Sequence, residues 1–294
     1  MENSYNFITS GRIIAMDIEQ IKTEKGHFIT ANIFEAKGSR IVLLISSATG
    51  VRQSYYKRFS EYISATGITV ITFDYSGIGH SLKGSIRENK SQASDWGKID
   101  LEAVIQYVKE HYPESKIHIL GHSIGGQLIG QSKSAVDASK IILVAAQTGY
   151  WKFWTGFRRY RMWANWNIVF PVLVYTFGYM PSKKLTGMEN LPKHVARQWC
   201  KWCMDPNYLF GSIPEADLYF ERITASLTSI SIDDDTFAPI QNVDWLTKQY
   251  SGAEVKRIHL MPRDFSMERI GHFGIFQEPS RARIWEILLR EIER

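Results

Sequence analysis

Apolar positions cluster along the chain in short runs, and most of the later runs are separated by segments of helical period. Runs rich in aliphatic and β-branched residues lie at 12–16 (RIIAM), 28–34, 40–45 (RIVLLI), 68–73 (ITVITF), 116–120 (KIHIL), 140–145 (KIILVA), 226–232 (SLTSISI) and 254–260 (EVKRIHL). Helix-period segments occupy 53–66, 96–111, 124–133 and 240–250, and a last one at 280–294 closes the chain. Strands that alternate with helices in this way predict an α/β fold, with a mostly parallel central sheet of about eight strands flanked by helices. Ligands of such sheets bind beyond the C-terminal ends of the strands. No internal repeat or low-complexity segment interrupts the pattern.

One region does not follow it. Between 150 and 204 there are nine Lys and Arg against the single acidic Glu189, a local charge of +8 in a chain whose total is +5. Residues 150–210 also hold 16 of the 38 aromatic side chains, including six of nine tryptophans. This reads as an insertion, 150–222, into a core formed by 1–149 and 223–294. Within it, 162–180 is a run of 19 uncharged residues, long enough on length alone to span a bilayer. Asn165, Asn167, Pro171, Thr176 and Gly178 interrupt its apolar character and its helix, so no span is expected.

Composition sets the outer bounds. With 294 residues, 44% hydrophobic and 22% charged, the chain is a folded protein. Two cysteines cannot supply a disulfide framework, and the N-terminal residues lack the basic start and apolar run of a secretory signal. A cytoplasmic location is expected, with peripheral membrane contact as an addition considered below.

The chemistry is concentrated after the strand KIHIL. There Gly121-His122-Ser123-Ile124-Gly125-Gly126 leads straight into a helix-compatible segment. Gly-x-Ser-x-Gly between a strand and a helix is the pattern of a sharp turn that lifts a serine hydroxyl clear of the sheet, with small neighbours that let the backbone fold tightly. A serine hydroxyl is a weak nucleophile near neutral pH, so it needs a histidine base and an acid to orient that base. Downstream, SLTSISI ends in Asp233-Asp234-Asp235-Thr236-Phe237-Ala238-Pro239, and VKRIHL is followed eleven residues later by Gly271-His272. The order serine, acid, histidine fits.

Four pieces carry a family likeness: Ser47-Ala48-Thr49-Gly50 after the third strand, Asp74-Tyr75-Ser76-Gly77-Ile78-Gly79-His80-Ser81 after the fourth, the serine turn, and Gly271-His272. With them the chain resembles the α/β-hydrolase superfamily, in its bacterial-type branch of predicted serine hydrolases with a helical lid. The resemblance implies that 150–222 is the lid and that Ser123, Asp235 and His272 are catalytic. It selects Asp235 because Pro239 follows four residues later, with Asp233 and Asp234 kept open. It also implies an oxyanion hole from the N–H groups of Ile124 and of Ala48, with Thr49 as the alternative to Ala48. Ser46-Ser47 stands where the family commonly has His-Gly, which clouds that choice.

Other motifs weigh less. His122 reads as a packing residue, His80 as a loop residue, and His118 and His259 as sheet residues, while His194 is a residue that could line a pocket. Cys200-Lys201-Trp202-Cys203 has metal or redox spacing but lacks two further ligands and a strand-to-helix context, so no metal and no cofactor is expected. The expected activity is hydrolysis of a carboxylic ester with a hydrophobic acyl or aromatic group, through an acyl-serine. An acyltransferase with the same triad and a non-catalytic ligand-binding protein are the alternatives. The expected partner is a small-molecule ester and not nucleic acid. The basic, aromatic insertion also suits contact with an anionic lipid surface, against a plain solvated basic face.

Overall fold

The computed structural model describes residues 5–9 and 12–294, with side chains from Met16 onward. Among the described residues there are eleven strands: β1 Tyr5–Thr9, β2 Arg12–Lys22, β3 Phe28–Phe34, β4 Ile41–Ser46, β5 Thr69–Phe73, β6 Lys116–His122, β7 Lys140–Val144, β8 Tyr179–Met180, β9 Leu191–Pro192, β10 Ser226–Ile232 and β11 Val255–Leu260. Nine of them form one sheet in the order β1-β2-β3-β5-β4-β6-β7-β10-β11. The six from β5 to β11 pair in parallel, and β1, β2 and β3 add an antiparallel edge. Two features exceed the sequence reading. β1 was not anticipated, and β2 runs on to Lys22 because its polar residues alternate along the antiparallel part of the sheet, where one side can meet water.

The central strands are buried on both faces, as helix layers on each side require. Val42, Leu44, Ile119, Ile141 and Leu143 point to one core, packed with Trp96, Val104 and Val108 around helix Glu102–His111. Leu43, Ile45, Leu120, Ile142 and Val144 point to the other, packed with Phe59 of helix Lys57–Ser64 and with Trp285 and Leu288 of helix Ile284–Glu293. At about 25 cal/mol per Å² of apolar area, this two-sided burial is the main favourable contribution to folding.

The chain between β7 and β10 forms a separate group of helices over the C-terminal ends of the parallel strands. Helix Gly156–Ala164 continues through a π-type turn, Asn165–Val169, into helix Phe170–Phe177, which Gly178 ends in the left-handed conformation (φ 75°). Among the described residues no helix is long and apolar enough to cross a membrane. Helix Lys193–Met204 packs behind, with Trp166 and Trp199 in edge contact at 4.9 Å. Cys200 and Cys203 lie buried on this helix as free thiols, and burial pushes the Cys200 thiol up to about 12, so neither carries a thiolate at neutral pH. The insertion is tied to the core at several points, including Glu189 N–H to the Gly50 carbonyl (2.7 Å) and Arg87 Nε to the Phe177 carbonyl (2.8 Å).

On the far side from these ends, Glu102 binds the loop after helix Ile124–Ile129. Its carboxylate accepts from the Ser132 hydroxyl (2.6 Å), the Ser134 N–H (2.8 Å) and hydroxyl (2.6 Å), and Gln106 (3.0 Å). Burial alone would raise the Glu102 pKa, but these hydrogen bonds outweigh it and hold the group below its ordinary value. The folded state therefore binds this proton less readily than the unfolded chain. The resulting stability is present above the ordinary glutamate pKa and is lost as pH falls through the lower folded value. In urea titrations between about pH 5 and pH 3, Glu102→Gln is expected to show a shallower fall in midpoint than the wild type. Equal slopes would contradict this assignment.

Candidate active site

β6 delivers the chain to Ser123, whose backbone sits at φ 55° and ψ −120°, outside the regions that L-residues favour. Such a conformation costs on the order of 1–3 kcal/mol and persists only where its surroundings enforce it. Here they do so through backbone packing. A Cβ on Gly125 would run into the Ser46 carbonyl at the end of β4, and one on Gly121 would lie 2.5 Å from the Gly126 Cα. The Ser123 N–H donates to the Val144 carbonyl at 2.9 Å, which fixes the turn against β7. Helix Ile124–Ile129 starts immediately after, so the serine stands at a helix N-terminus with its hydroxyl above the sheet.

The three consecutive aspartates after β10 have three different partners. Asp235 accepts from His272 Nδ1 at 2.6 Å through one carboxylate oxygen, and from the N–H groups of Phe237 (2.8 Å) and Ala238 (3.0 Å) through the other. Both partners of the His272 pair are buried. Asp234 accepts the N–H groups of Ile270 (3.1 Å) and Gly271 (2.9 Å) and so holds the turn that carries His272. Asp233 is exposed and approaches His259 at 3.5 Å. Of the candidates left open by the sequence, Asp235 is the one that meets the histidine.

With Nδ1–H donated to Asp235, the lone pair of the neutral His272 ring lies on Nε2. Nε2 has no hydrogen-bond partner among the described residues, and neither has the Ser123 hydroxyl. Ser123 and His272 line the same cavity. The serine-to-histidine hydrogen bond is thus not formed in this geometry, while both its ends face one space. Catalytic hydrogen bonds are often long in unliganded proteins and tighten around substrate.

The backbone donors differ from the expectation. Ala48 N–H points to the Tyr56 hydroxyl at 3.0 Å, so it is already engaged. Thr49 N–H, one residue on, has no acceptor among the described residues, and Thr49 lines the cavity beside Ser123. Ile124 N–H, in the first turn of its helix, also lacks an acceptor there. Of the backbone donors weighed from the sequence, the Thr49 and Ile124 N–H groups are free and the Ala48 N–H is engaged.

Tyr56 belongs to a buried hydrogen-bonded chain that the sequence did not reveal. Its hydroxyl meets His122 Nδ1 at 2.8 Å, and His122 Nε2 meets the His272 carbonyl at 2.9 Å. A carbonyl only accepts, so Nε2 carries the proton and Nδ1 accepts from Tyr56. Burial, reinforced by the nearby His272, holds His122 well below the ordinary histidine pKa, which keeps it neutral as this arrangement requires. Direction is consistent throughout: Ala48 N–H to Tyr56, Tyr56 O–H to His122, His122 N–H to His272. The turn bearing Thr49 and the turn bearing His272 are joined through the residue that precedes Ser123. Tyr55 adds a second tie, its hydroxyl donating to the Phe273 carbonyl.

The cavity has a volume of about 400 Å³ and lies between the strand ends and the insertion. Its walls are mainly apolar, with Trp154, Met162, Trp166, Phe170, Met180 and Leu191 among them. Glu189 at one side is neutralised by Arg52 (2.7 Å) and Lys183 (3.2 Å). The remaining histidines stand elsewhere. His194 is exposed on helix Lys193–Met204 and does not line the cavity. His80 is a loop residue whose N–H binds Asp74, and His259 binds Ser231. His118 is buried in β6, where burial pushes its pKa down to about 4.

Residues 40–132 match a family model described as the alpha/beta hydrolase fold, a stretch that runs from β4 through the serine turn. Over 92 residues the chain is 32% identical to a monoglyceride lipase homolog of Monkeypox virus, a match that takes in 30% of this chain and 31% of that protein's length. Solved structures match over nearly the whole chain. A soluble variant of monoglyceride lipase from Saccharomyces cerevisiae, in complex with a substrate analog, has a TM-score of 0.67 at 12% identity, covering 98% of this chain and 96% of that one. The esterase PF2001 of Pyrococcus furiosus gives 0.61 at 17% identity, covering 94% and 91%. An esterase from Exiguobacterium antarcticum gives 0.60 at 16% identity, covering 94% and 99%. At these identities the structural likeness establishes the fold.

Tyr56→Phe would strip a partner from two buried groups, Ala48 N–H and His122 Nδ1, at a cost of about 1–3 kcal/mol each. A loss of about 2–6 kcal/mol of unfolding free energy for the two groups together, measured by urea titration, is expected; a variant as stable as the wild type would show that the buried chain contributes nothing to holding these turns.

Proposed function

We propose that the chain is a member of the α/β-hydrolase superfamily, whose fold it shares, and that it is a serine hydrolase that cleaves a carboxylic ester through an acyl-serine intermediate. The observation that carries this reading is the buried His272–Asp235 pair, which leaves the imidazole Nε2 unpaired in the cavity that also holds the raised Ser123 hydroxyl. The names of the similar proteins, two esterases and a monoglyceride lipase, point the same way.

In this mechanism His272 Nε2 takes the Ser123 proton as the oxygen attacks the ester carbonyl. Asp235 fixes the tautomer and stabilises the imidazolium, without itself taking the proton. Thr49 and Ile124 N–H groups bind the oxyanion, in a site where the water-poor surroundings strengthen both bonds. The imidazolium then protonates the leaving alcohol, and a water activated by the same nitrogen releases the acid and restores Ser123. The apolar walls favour an acyl chain or aromatic group of modest size. We assign the insertion, 150–222, the role of lid, since its helices roof the cavity. The free thiols of Cys200 and Cys203 suit a reducing, cytoplasmic setting.

A series of p-nitrophenyl esters of rising chain length tests the reading. Turnover is expected for the wild type, and Ser123→Ala is expected to lose at least about 1,000-fold in kcat. Retained activity in the variant would refute the mechanism. A wild type that neither turns over any ester nor reacts with a fluorophosphonate would instead favour a ligand-binding protein on this scaffold. Thr49→Pro, which deletes the free N–H, is expected to lower kcat by roughly 100–1,000-fold with a smaller effect on KM; unchanged kcat would remove Thr49 from the oxyanion hole.

A further inference from the structure

Of the helices that roof the cavity, Phe170–Phe177 is apolar on both sides, and Gly156–Ala164 presents exposed aromatic side chains between its arginines. Their inner face contributes Met162, Trp166 and Phe170, spaced four residues apart, to the cavity wall. Their outer face carries Phe157, Tyr160, Ile168, Val172 and Tyr175 into solvent at helical spacing, with Phe157 80% exposed and Tyr175 85% exposed. Among the described residues, nine of the thirteen exposed large apolar side chains fall between Phe157 and Leu185. A helix that is apolar all round is normally buried or in contact with lipid, and an exposed apolar cluster of this kind marks an interaction surface.

Charge decides what the surface fits. From 150 to 188 the chain holds six cations, Lys152, Arg158, Arg159, Arg161, Lys183 and Lys184, and no acidic residue. Lys183 pairs with Glu189 and Arg161 lines the cavity, so a second copy docking through the same face would set the other four cations, Lys152, Arg158, Arg159 and Lys184, against four. An anionic bilayer offers phosphate groups to the cations and acyl chains to the apolar side chains at once. The helices are too short and too interrupted to cross the membrane, so the contact is one that lies along the surface.

We propose that the outer face of helices Gly156–Ala164 and Phe170–Phe177, with its basic rim, docks on an anionic lipid surface. Docking puts the roof of the cavity at the level of the acyl chains, so an ester dissolved in the membrane reaches Ser123 through the roof without crossing bulk water. Binding does not depend on the ester-cleaving reading; delivery of substrate rests on it.

Co-sedimentation of the full chain with vesicles separates the two. Vesicles of phosphatidylcholine with about 30% phosphatidylglycerol are expected to bring the protein down, pure phosphatidylcholine far less, and added salt is expected to release it. Arg158→Gln/Lys184→Gln is expected to weaken binding by roughly fivefold for each charge removed. Val172→Asp/Tyr175→Asp, at exposed positions outside the catalytic cavity, is expected to lose binding while keeping the wild-type unfolding midpoint and turnover of a soluble short-chain ester. Protein that stays in the supernatant with both lipid compositions overturns the proposal, as does binding that is the same for both lipids and insensitive to salt, or variants that bind like the wild type. A dimer seen by light scattering and dissolved by Val172→Asp/Tyr175→Asp would assign the face to a second copy and overturn it equally. Loss of ester turnover alone, with vesicle binding intact, would count against the catalytic reading and leave docking standing.

Discussion

The site depends on how closely the serine turn is packed against the end of β4. Gly125 lies so near the Ser46 carbonyl that no side chain fits between them, and Gly121 stands as close to the first turn of the following helix. That contact holds Ser123 in a backbone conformation it would not adopt alone. It also brings the turn after β4, which carries the free Thr49 N–H, beside the N-terminus that carries the free Ile124 N–H. Ser123 and the two free backbone donors are therefore placed by one packing constraint, between β4, β6 and the first helical turn after β6.

The histidine is positioned by different means. It arrives on a short turn far along the chain, and that turn is held by Asp234 from below, by Tyr55 at Phe273, and by His122 at the His272 carbonyl. The path from Ala48 through Tyr56 and His122 joins this turn to the one that bears Thr49. A buried chain of this kind is strong when every group is satisfied and costly when one is lost. Its members touch no reacting atom in this arrangement; they act by keeping two turns in register.

Much of this was legible in the sequence. That Asp235 would meet His272 and that both would stand near Ser123 could be read ahead because side-chain chemistry and spacing carry the signal: a small-residue turn between strand and helix, an acid directly after one strand, a histidine after the next. The engagement of the Ala48 N–H was not legible, because a backbone N–H leaves no trace in residue identity and only the Tyr56 hydroxyl shows that it is occupied. Tyr56 itself sits in a helix-period run, and the partner that gives it meaning, His122, lies 66 positions away. Asp234 was kept open only as an alternative acid, and its hold on the turn of His272, 36 to 37 positions away, was not legible for the same reason. In the sheet, β1 was not read as a strand, and β2 was ended early because Asp17, Glu19, Gln20 and Lys22 break its apolar run although it lies between β1 and β3. The insertion was recognisable by charge and aromatic content, yet its path was not, since residues apolar on every side give no period from which to read an inner and an outer face.

The central claim is that Ser123, His272 and the two free N–H groups converge on one reacting centre. The most direct measurement is a crystal structure of the protein after treatment with an alkyl phosphonate inhibitor. The expected adduct has phosphorus bonded to Ser123 Oγ, a phosphonyl oxygen within hydrogen-bond distance of Thr49 N and Ile124 N, His272 Nε2 on the leaving-group side, and the inhibitor's alkyl chain against Trp166 and Met162. An unmodified Ser123, or an adduct whose oxygen lies against other donors with His272 turned away, would contradict it.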